Sequence, residues 1–426
     1  MTWTRRDWLL AAGVLPLELS AISSVLGQRG GGRGAGLEPL PPLGPPPTLP
    51  DKSSFAFIQG TVLDGASSHP RPKGANDLIK KALAAEMGES DGFRPNQTRI
   101  RETFAKMMNV DPSEIVLVPS TQIGESFFGS ALRLHERGSH VVSDHLHFVG
   151  SQQMYTDMQK RGLEVTWVKI KDNRIPLDDL DKAIIKGKTR LVAVSHTAFV
   201  TGFQHDLKRV SEIAHAKGAM VYADIIQGAG NGPLDLADSG VDAACCASYK
   251  WLMSGGTAFM YVRKSSLDRL DPPFYHFSNY TRLLPVTHMY PLDTPGKDIV
   301  DDYEVKPGAL GMFSMGYEPN TATLAGLEYT LPYIMGIGPE RIQAHAKTLT
   351  DRLRSELPKR GYPLLTPLES RAPIVAVAVQ DAQRLAPALK AANIKVTTRW
   401  NHLRISPSVF NDMEDVDRLL AALPGA

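Results

Sequence analysis

From Glu114 onward, short β-branched runs alternate with longer amphipathic ones. Ile115-Val116-Leu117-Val118, Val141-Val142, Val165-Thr166-Trp167-Val168, Leu191-Val192-Ala193-Val194 and Met220-Val221-Tyr222-Ala223 are short apolar runs that predict buried strands. Between them, stretches such as Leu207 to Lys217 carry apolar residues at helical spacing. This alternation predicts an α/β fold with a mainly parallel sheet and crossover helices, whose ligand sites lie at the carboxyl ends of the strands. Residues that directly follow the apolar runs are therefore the site candidates. Toward the C-terminus a helical stretch over 340–360 leads to apolar runs at 374–379, 395–399 and 403–406 and a last helix over 412–423. These predict a small α+β domain over 331–426, beside a large domain with an N-terminal arm over 51–330. No internal repeat is visible.

The N-terminus departs from this pattern. Thr4-Arg5-Arg6-Asp7-Trp8-Leu9-Leu10 places paired arginines before an apolar stretch that runs to Leu26. It resembles a twin-arginine export signal over 1–27, which implies transient handling by the export machinery and a periplasmic location. Pro16 and Glu18 interrupt the stretch, which disfavours a membrane span of ~20 mostly apolar residues. The Gly- and Pro-rich segment 28–50 reads as a linker, since it has too little apolar surface to bury.

Composition adds limits. In 426 residues, 42% are hydrophobic and 22% charged, with a formal net charge of +2, the profile of an ordinary soluble enzyme. Outside the N-terminus there is no Lys/Arg block to track a phosphate backbone, so nucleic acid is not an expected partner. The only cysteines, Cys245 and Cys246, are adjacent in an apolar run and read as small buried side chains.

Two segments carry chemistry. Asp224 directly follows Met220 to Ala223, with Gln227 three residues on. A carboxylate there suits a heterocyclic ring nitrogen that must stay protonated, although helix capping is the commoner use of such an Asp. Ser248-Tyr249-Lys250-Trp251-Leu252 comes after the run Ala243 to Ala247 and before Gly255-Gly256-Thr257 and a second run, Phe259 to Val262. A lysine between two buried runs loses hydration and becomes nucleophilic below its ordinary pKa of about 10.4. Alone, Lys250 reads more readily as a surface lysine in a hairpin loop.

Together these segments resemble the class V aminotransferase family of fold-type I enzymes that use pyridoxal 5′-phosphate (PLP), which includes cysteine desulfurases, kynureninase and isopenicillin N epimerase. The resemblance runs from Phe93 to Leu423. It implies a fold-type I architecture in which Lys250 holds PLP as a Schiff base and Asp224 pairs with the pyridinium nitrogen. Gln227 is implied to bond the phenolic oxygen. The turn Val118-Pro119-Ser120-Thr121-Gln122-Ile123-Gly124 matches the phosphate turn, with the Ser120 and Thr121 hydroxyls as ligands and Ser248 and Tyr249 adding contacts. Ser143-Asp144-His145-Leu146-His147 resembles the segment that stacks an aromatic or histidine side chain on the ring, His147 being the match and His145 the runner-up. His196 in Ser195-His196-Thr197 reads as structural. Leu403-Arg404-Ile405-Ser406-Pro407 resembles the small-domain signature, and Arg404 matches the arginine that binds a substrate carboxylate. A small-molecule amino acid is the implied substrate and a homodimer the implied assembly.

The sequence also departs from the family. Ala198-Phe199-Val200-Thr201-Gly202 offers no polar side chain at Ala198 or Phe199 for the phenolic oxygen. The stretch 394–404 lacks the nucleophilic cysteine of the desulfurases. The family's Gly-Thr-Pro-Asn turn is replaced by Gly316-Tyr317-Glu318-Pro319-Asn320, which puts the phosphate contact made across the dimer in doubt. Transamination is the leading expectation, with epimerisation and C–S or C–N lyase chemistry as alternatives, and 274–289 is a candidate substrate loop. Two other classes compete: a metal-dependent hydrolase using His145, His147, His196 and Asp224, which leaves Lys250 and Arg404 without a role, and a PLP-binding protein without turnover.

Overall fold

The computed structural model describes residues 47–282 and 304–425. The expected export signal, nearly all of the linker and residues 283–289 of the candidate loop lie outside the described residues.

Each apolar run of the first half is a strand of one seven-stranded sheet. After a short β1 (Thr61–Val62), its strands are β2 (Ile115–Val118), β3 (His140–Asp144), β4 (Glu164–Val168), β5 (Thr189–Ser195), β6 (Met220–Asp224), β7 (Ala243–Ala247) and β8 (Ala258–Val262). The order across the sheet is β2-β8-β7-β6-β5-β3-β4. From β7 to β4 all neighbours are parallel, while β8 runs antiparallel to both β7 and β2. The central strands are buried on both faces, as expected where helices cover a parallel sheet. The antiparallel β8 follows from a short connection: ten residues between Ala247 and Ala258 leave room for a hairpin loop but not for a crossover helix. Lys250 lies in that loop.

The helices that matter for the site are α1 (Thr121–Ala131) and α2 (Val149–Lys160). Ser120 adopts extended backbone and its hydroxyl accepts from the Ile123 N–H, so the chain turns from β2 into α1 through an N-cap. Gly124 lets α1 approach the sheet closely, since a Cβ there would sit 2.7 Å from Cys245 Sγ.

Two apolar cores result. One encloses the large sheet and its helices. The other joins Leu349, Leu353, Val375, Leu403, Leu419 and Leu63 around a three-stranded antiparallel sheet formed by β11 (Val375–Ala378), β13 (Thr397–Arg399) and β14 (His402–Ile405). Here β9 is Tyr280–Arg282, β10 is Glu304–Val305 and β12 is Ile394–Lys395. The N-terminal arm joins this second core: β1 pairs with β12, and Asp64 bridges to Ser406. Residues 42–426 form one compact unit.

Candidate active site

The strand ends position the first group of side chains. Asp224 closes β6 and is buried. One of its carboxylate oxygens accepts from the Ile226 N–H at 2.9 Å. The other has no hydrogen-bond partner among the described residues. Burial raises the pKa of Asp224, against the opposing pull of the Ile226 amide and the charges of His147 and Lys250.

Lys250 leaves the end of β7 in the hairpin loop, yet is only 7% exposed. Burial lowers its pKa to about 8, opposed by the Asp224 charge and assisted by the Arg404 charge. Its amine makes no hydrogen bond to a described residue and lies 5.7 Å from the Tyr249 ring centroid. This amine is therefore largely neutral at mildly alkaline pH, the state in which lysine is a nucleophile and a base.

At the start of α1, the Ser120 hydroxyl caps Ile123, and the Thr121 hydroxyl accepts from the Ala247 N–H at 2.9 Å. The first N–H groups of a helix have no intrahelical acceptor, so the Thr121 and Gln122 amides are available for an anion. Ser120 and Thr121 thus gather beside the root of the lysine loop. Tyr249 is 43% exposed at the same place.

Three expected contacts are not presented as the sequence suggests. Ser248 is fully buried and its hydroxyl donates to the Thr257 carbonyl at 3.0 Å, which holds the hairpin shut rather than facing an anion. Gln227 is buried, donates to the Ala66 carbonyl at 2.9 Å and accepts from the Trp251 indole N–H at 2.8 Å, leaving one amide hydrogen for other use. His147 is likewise buried. The chain turns after β3, with the Leu146 N–H bonded to Asp144 Oδ1, and drives His147 inward. Its side chain has no exposed surface, and its ring nitrogens meet Glu125 Oε1 at 3.0 Å and Ser195 Oγ at 2.9 Å. His145 is exposed and faces Trp167 on edge strand β4, 6.4 Å between centroids. The segment 145–148 is a turn, not a strand, so its histidines diverge. Among the described residues no group of His, Cys, Asp and Glu is placed to hold a metal ion. Phe148 is partly exposed at the N-cap of α2 and edge-on to Phe199 at 5.7 Å. His196 is neutral, with burial lowering its pKa to about 4.

Arg404 forms the other end of the site. It projects from β14, is 5% exposed, and its guanidinium donates to the Phe199 carbonyl at 2.9 Å, to Thr397 Oγ1 at 2.9 Å and to Ser67 Oγ. Asp64 Oδ1 lies 3.6 Å from Nη2, and Nε has no partner among the described residues. Asp64, Ser67, Glu125 and Phe148 all shape the site without having been expected. Asp64 and Ser67 belong to an irregular arm with no periodic signal. Glu125 sits in a helix where a charged residue ordinarily faces solvent.

Comparisons with known proteins bear on the family and the fold. The family model for Aminotransferase class-V matches residues 90–419. An uncharacterized aminotransferase, YcbU of Bacillus subtilis (strain 168), is 25% identical over 332 residues, covering 74% of this chain and 80% of its own length. Kynureninase of Pseudomonas fluorescens is 26% identical over 55% of this chain and 59% of that enzyme. Among solved structures, the apo cysteine desulfurase from Thermococcus onnurineus NA1 superposes with a TM-score of 0.72 at 20% identity, covering 88% of this chain and 98% of that one. The cystine C-S lyase C-DES in complex with cysteine persulfide gives 0.71 at 18% identity, covering 88% and 100%. With the family model spanning most of the described fold, the chain belongs to the class V aminotransferase family.

Proposed function

We propose that this enzyme uses PLP to transfer the amino group of an amino acid, with Lys250 as its single base. PLP is the cofactor of this enzyme class, and the residues present fit it: Lys250 is a buried, unbonded amine, Asp224 keeps one oxygen unpartnered, and the Thr121 and Gln122 amides open an anion-binding helix start. When bound, PLP supplies an electron sink for negative charge developing on a substrate carbon. In the loaded enzyme Lys250 would hold the cofactor covalently, Asp224 would face its ring nitrogen and Phe148 would offer an aromatic side chain beside the ring. Arg404 orients the substrate carboxylate through its fork of donors.

The observation that supports transamination is that the Lys250 amine makes no hydrogen bond to a described residue, with the Tyr249 ring centroid 5.7 Å away. The charges that reach it are those of Asp224, Arg404 and Cys246. Asp224 is committed to the ring nitrogen, Arg404 stays cationic, and burial keeps the Cys246 thiol protonated. Lys250 thus takes a proton from the substrate carbon and returns it on the same side. Same-side return suits amino-group transfer, whereas inversion calls for a donor on the opposite side. Desulfurase chemistry has no suitable thiol, since both cysteines are fully buried. The test is to incubate the purified enzyme with panels of L- and D-amino acids, with and without a keto acid, and identify products by mass. A new amino acid made only when a keto acid is present supports the reading; racemised substrate or a released β-substituent overturns it.

We also propose a homodimer, and export as loaded enzyme through the Arg5-Arg6 signal. Family resemblance supports the dimer. Export of a folded chain is supported by the stabilisation a bound cofactor gives to the fold.

A further inference from the structure

A carboxylate is buried behind the site, and among the described residues no lysine or arginine is bound to it. Glu125 is 1% exposed and accepts from His147 Nε2 at 3.0 Å, from the Tyr155 hydroxyl at 2.8 Å and from the Ser151 hydroxyl at 2.5 Å. An isolated buried carboxylate is costly, and hydrogen bonds from neutral groups offset only part of that cost. His147 is the one group in the set able to carry a positive charge. Its Nε2 faces an acceptor and must donate. Its Nδ1 faces the Ser195 hydroxyl at 2.9 Å, which accommodates a donor as well as an acceptor. Ser195 in turn is the ladder partner of Asp224 in the parallel pair β5–β6.

We propose that Glu125, His147 and Ser195 form a buried relay that holds Asp224 as a carboxylate, making His147 a positioning residue for the ring-nitrogen partner. This rests on the assignment of Asp224 to the PLP ring nitrogen. Burial alone would keep His147 neutral; the Glu125 charge and hydrogen bond, with Asp144 and Asp224, outweigh it and raise its pKa. Asp144 is itself paired with His205 at 3.1 Å, so Glu125 is the principal counter-charge. Burial raises the pKa of Asp224 and Glu125 adds to that, the Ile226 amide, His147 and Lys250 oppose it, and the Cys245 and Cys246 thiols and Tyr222 beside it remain protonated. Lys250 is consumed when it attaches the cofactor, which leaves His147 as the cation acting on Asp224.

The test is the pH titration of the visible cofactor band in the loaded enzyme. A ring nitrogen that loses its proton raises the pH at which the lysine–cofactor link titrates. His147→Gln and Glu125→Gln are each expected to move the midpoint upward by about one pH unit, as for loss of a nearby charge. The double variant moves it no further, and Tyr155→Phe, which removes a hydrogen bond but no charge, leaves it in place. An unmoved midpoint in His147→Gln, or an equal shift in Tyr155→Phe, overturns the relay. Should His147→Gln not fold, imidazole nitrogen NMR of the wild-type loaded enzyme decides: a doubly protonated His147 at pH 7.5 supports the relay and a neutral one overturns it. A wild-type protein that takes up PLP but gives no visible covalent band overturns the Lys250 reading, and the relay with it.

Discussion

The two ends of the site are built by different means. At the ring end, Asp224 and Lys250 stand at the ends of adjacent strands β6 and β7, and Thr121 is tied to Ala247 across 2.9 Å. Ladder hydrogen bonds and an apolar core set their separation. At the carboxylate end, Arg404 is held by side chains and carbonyls from three distant segments: Asp64 and Ser67 of the arm, Phe199 after β5, and Thr397 of β13. Those contacts are polar and partly replaceable, so changes there should give graded effects. Loss of Lys250 at the ring end should act all or none.

The sharpest test of that contrast is Lys250→Ala. Covalent cofactor attachment should vanish while the fold persists, since the amine makes no hydrogen bond that stabilises the chain. A borohydride-stable PLP adduct remaining on the variant, detected by mass, would falsify the role of Lys250. Arg404→Lys should show the graded response: substrate binding weakened by ~1–3 kcal/mol as a fork of donors becomes a point charge, with cofactor loading unchanged. Substrate saturation curves and cofactor titrations separate the two, and an equal loss in both would dissolve the distinction between the ends.

The ring end also predicts a pH dependence. With burial holding Lys250 near 8, the rate at which cofactor-free enzyme captures PLP should rise with pH and level off above about 8, as the neutral amine becomes the major form. A rate still climbing at pH 10 would mean a solvated lysine with its ordinary pKa of about 10.4. The smallest effect belongs to Ser248→Ala. Because its hydroxyl serves the Thr257 carbonyl, the variant should lose about 1 kcal/mol of stability in denaturant unfolding and keep its PLP affinity. A marked drop in affinity would restore Ser248 as a phosphate ligand.

Legibility in the sequence followed the same division. Strand runs ending in Asp224 and preceding Lys250 were readable because a strand buried on both faces needs a continuous apolar stretch, and its first polar successor must emerge at the strand end. Register, by contrast, decides on which side a residue emerges. His147 matches the stacking position by pattern, and the turn after Asp144 sets its ring nitrogens against Glu125 and Ser195. Ser248 is likewise drawn to the Thr257 carbonyl across the hairpin.

The sequence by itself therefore determined the α/β class and the strand ends after which Asp224 and Lys250 follow, since apolar periodicity is a property of neighbouring residues, while the roles proposed for Lys250, Asp224 and Arg404 come from resemblance to the family. Only the tertiary structure decided that Asp64 and Ser67 meet Arg404, that Glu125 is buried against His147, and that Gln227 is shared between Ala66 and Trp251. Those are contacts between side chains up to 340 positions apart in the chain, and no local pattern encodes which polar groups the folded core will enclose together.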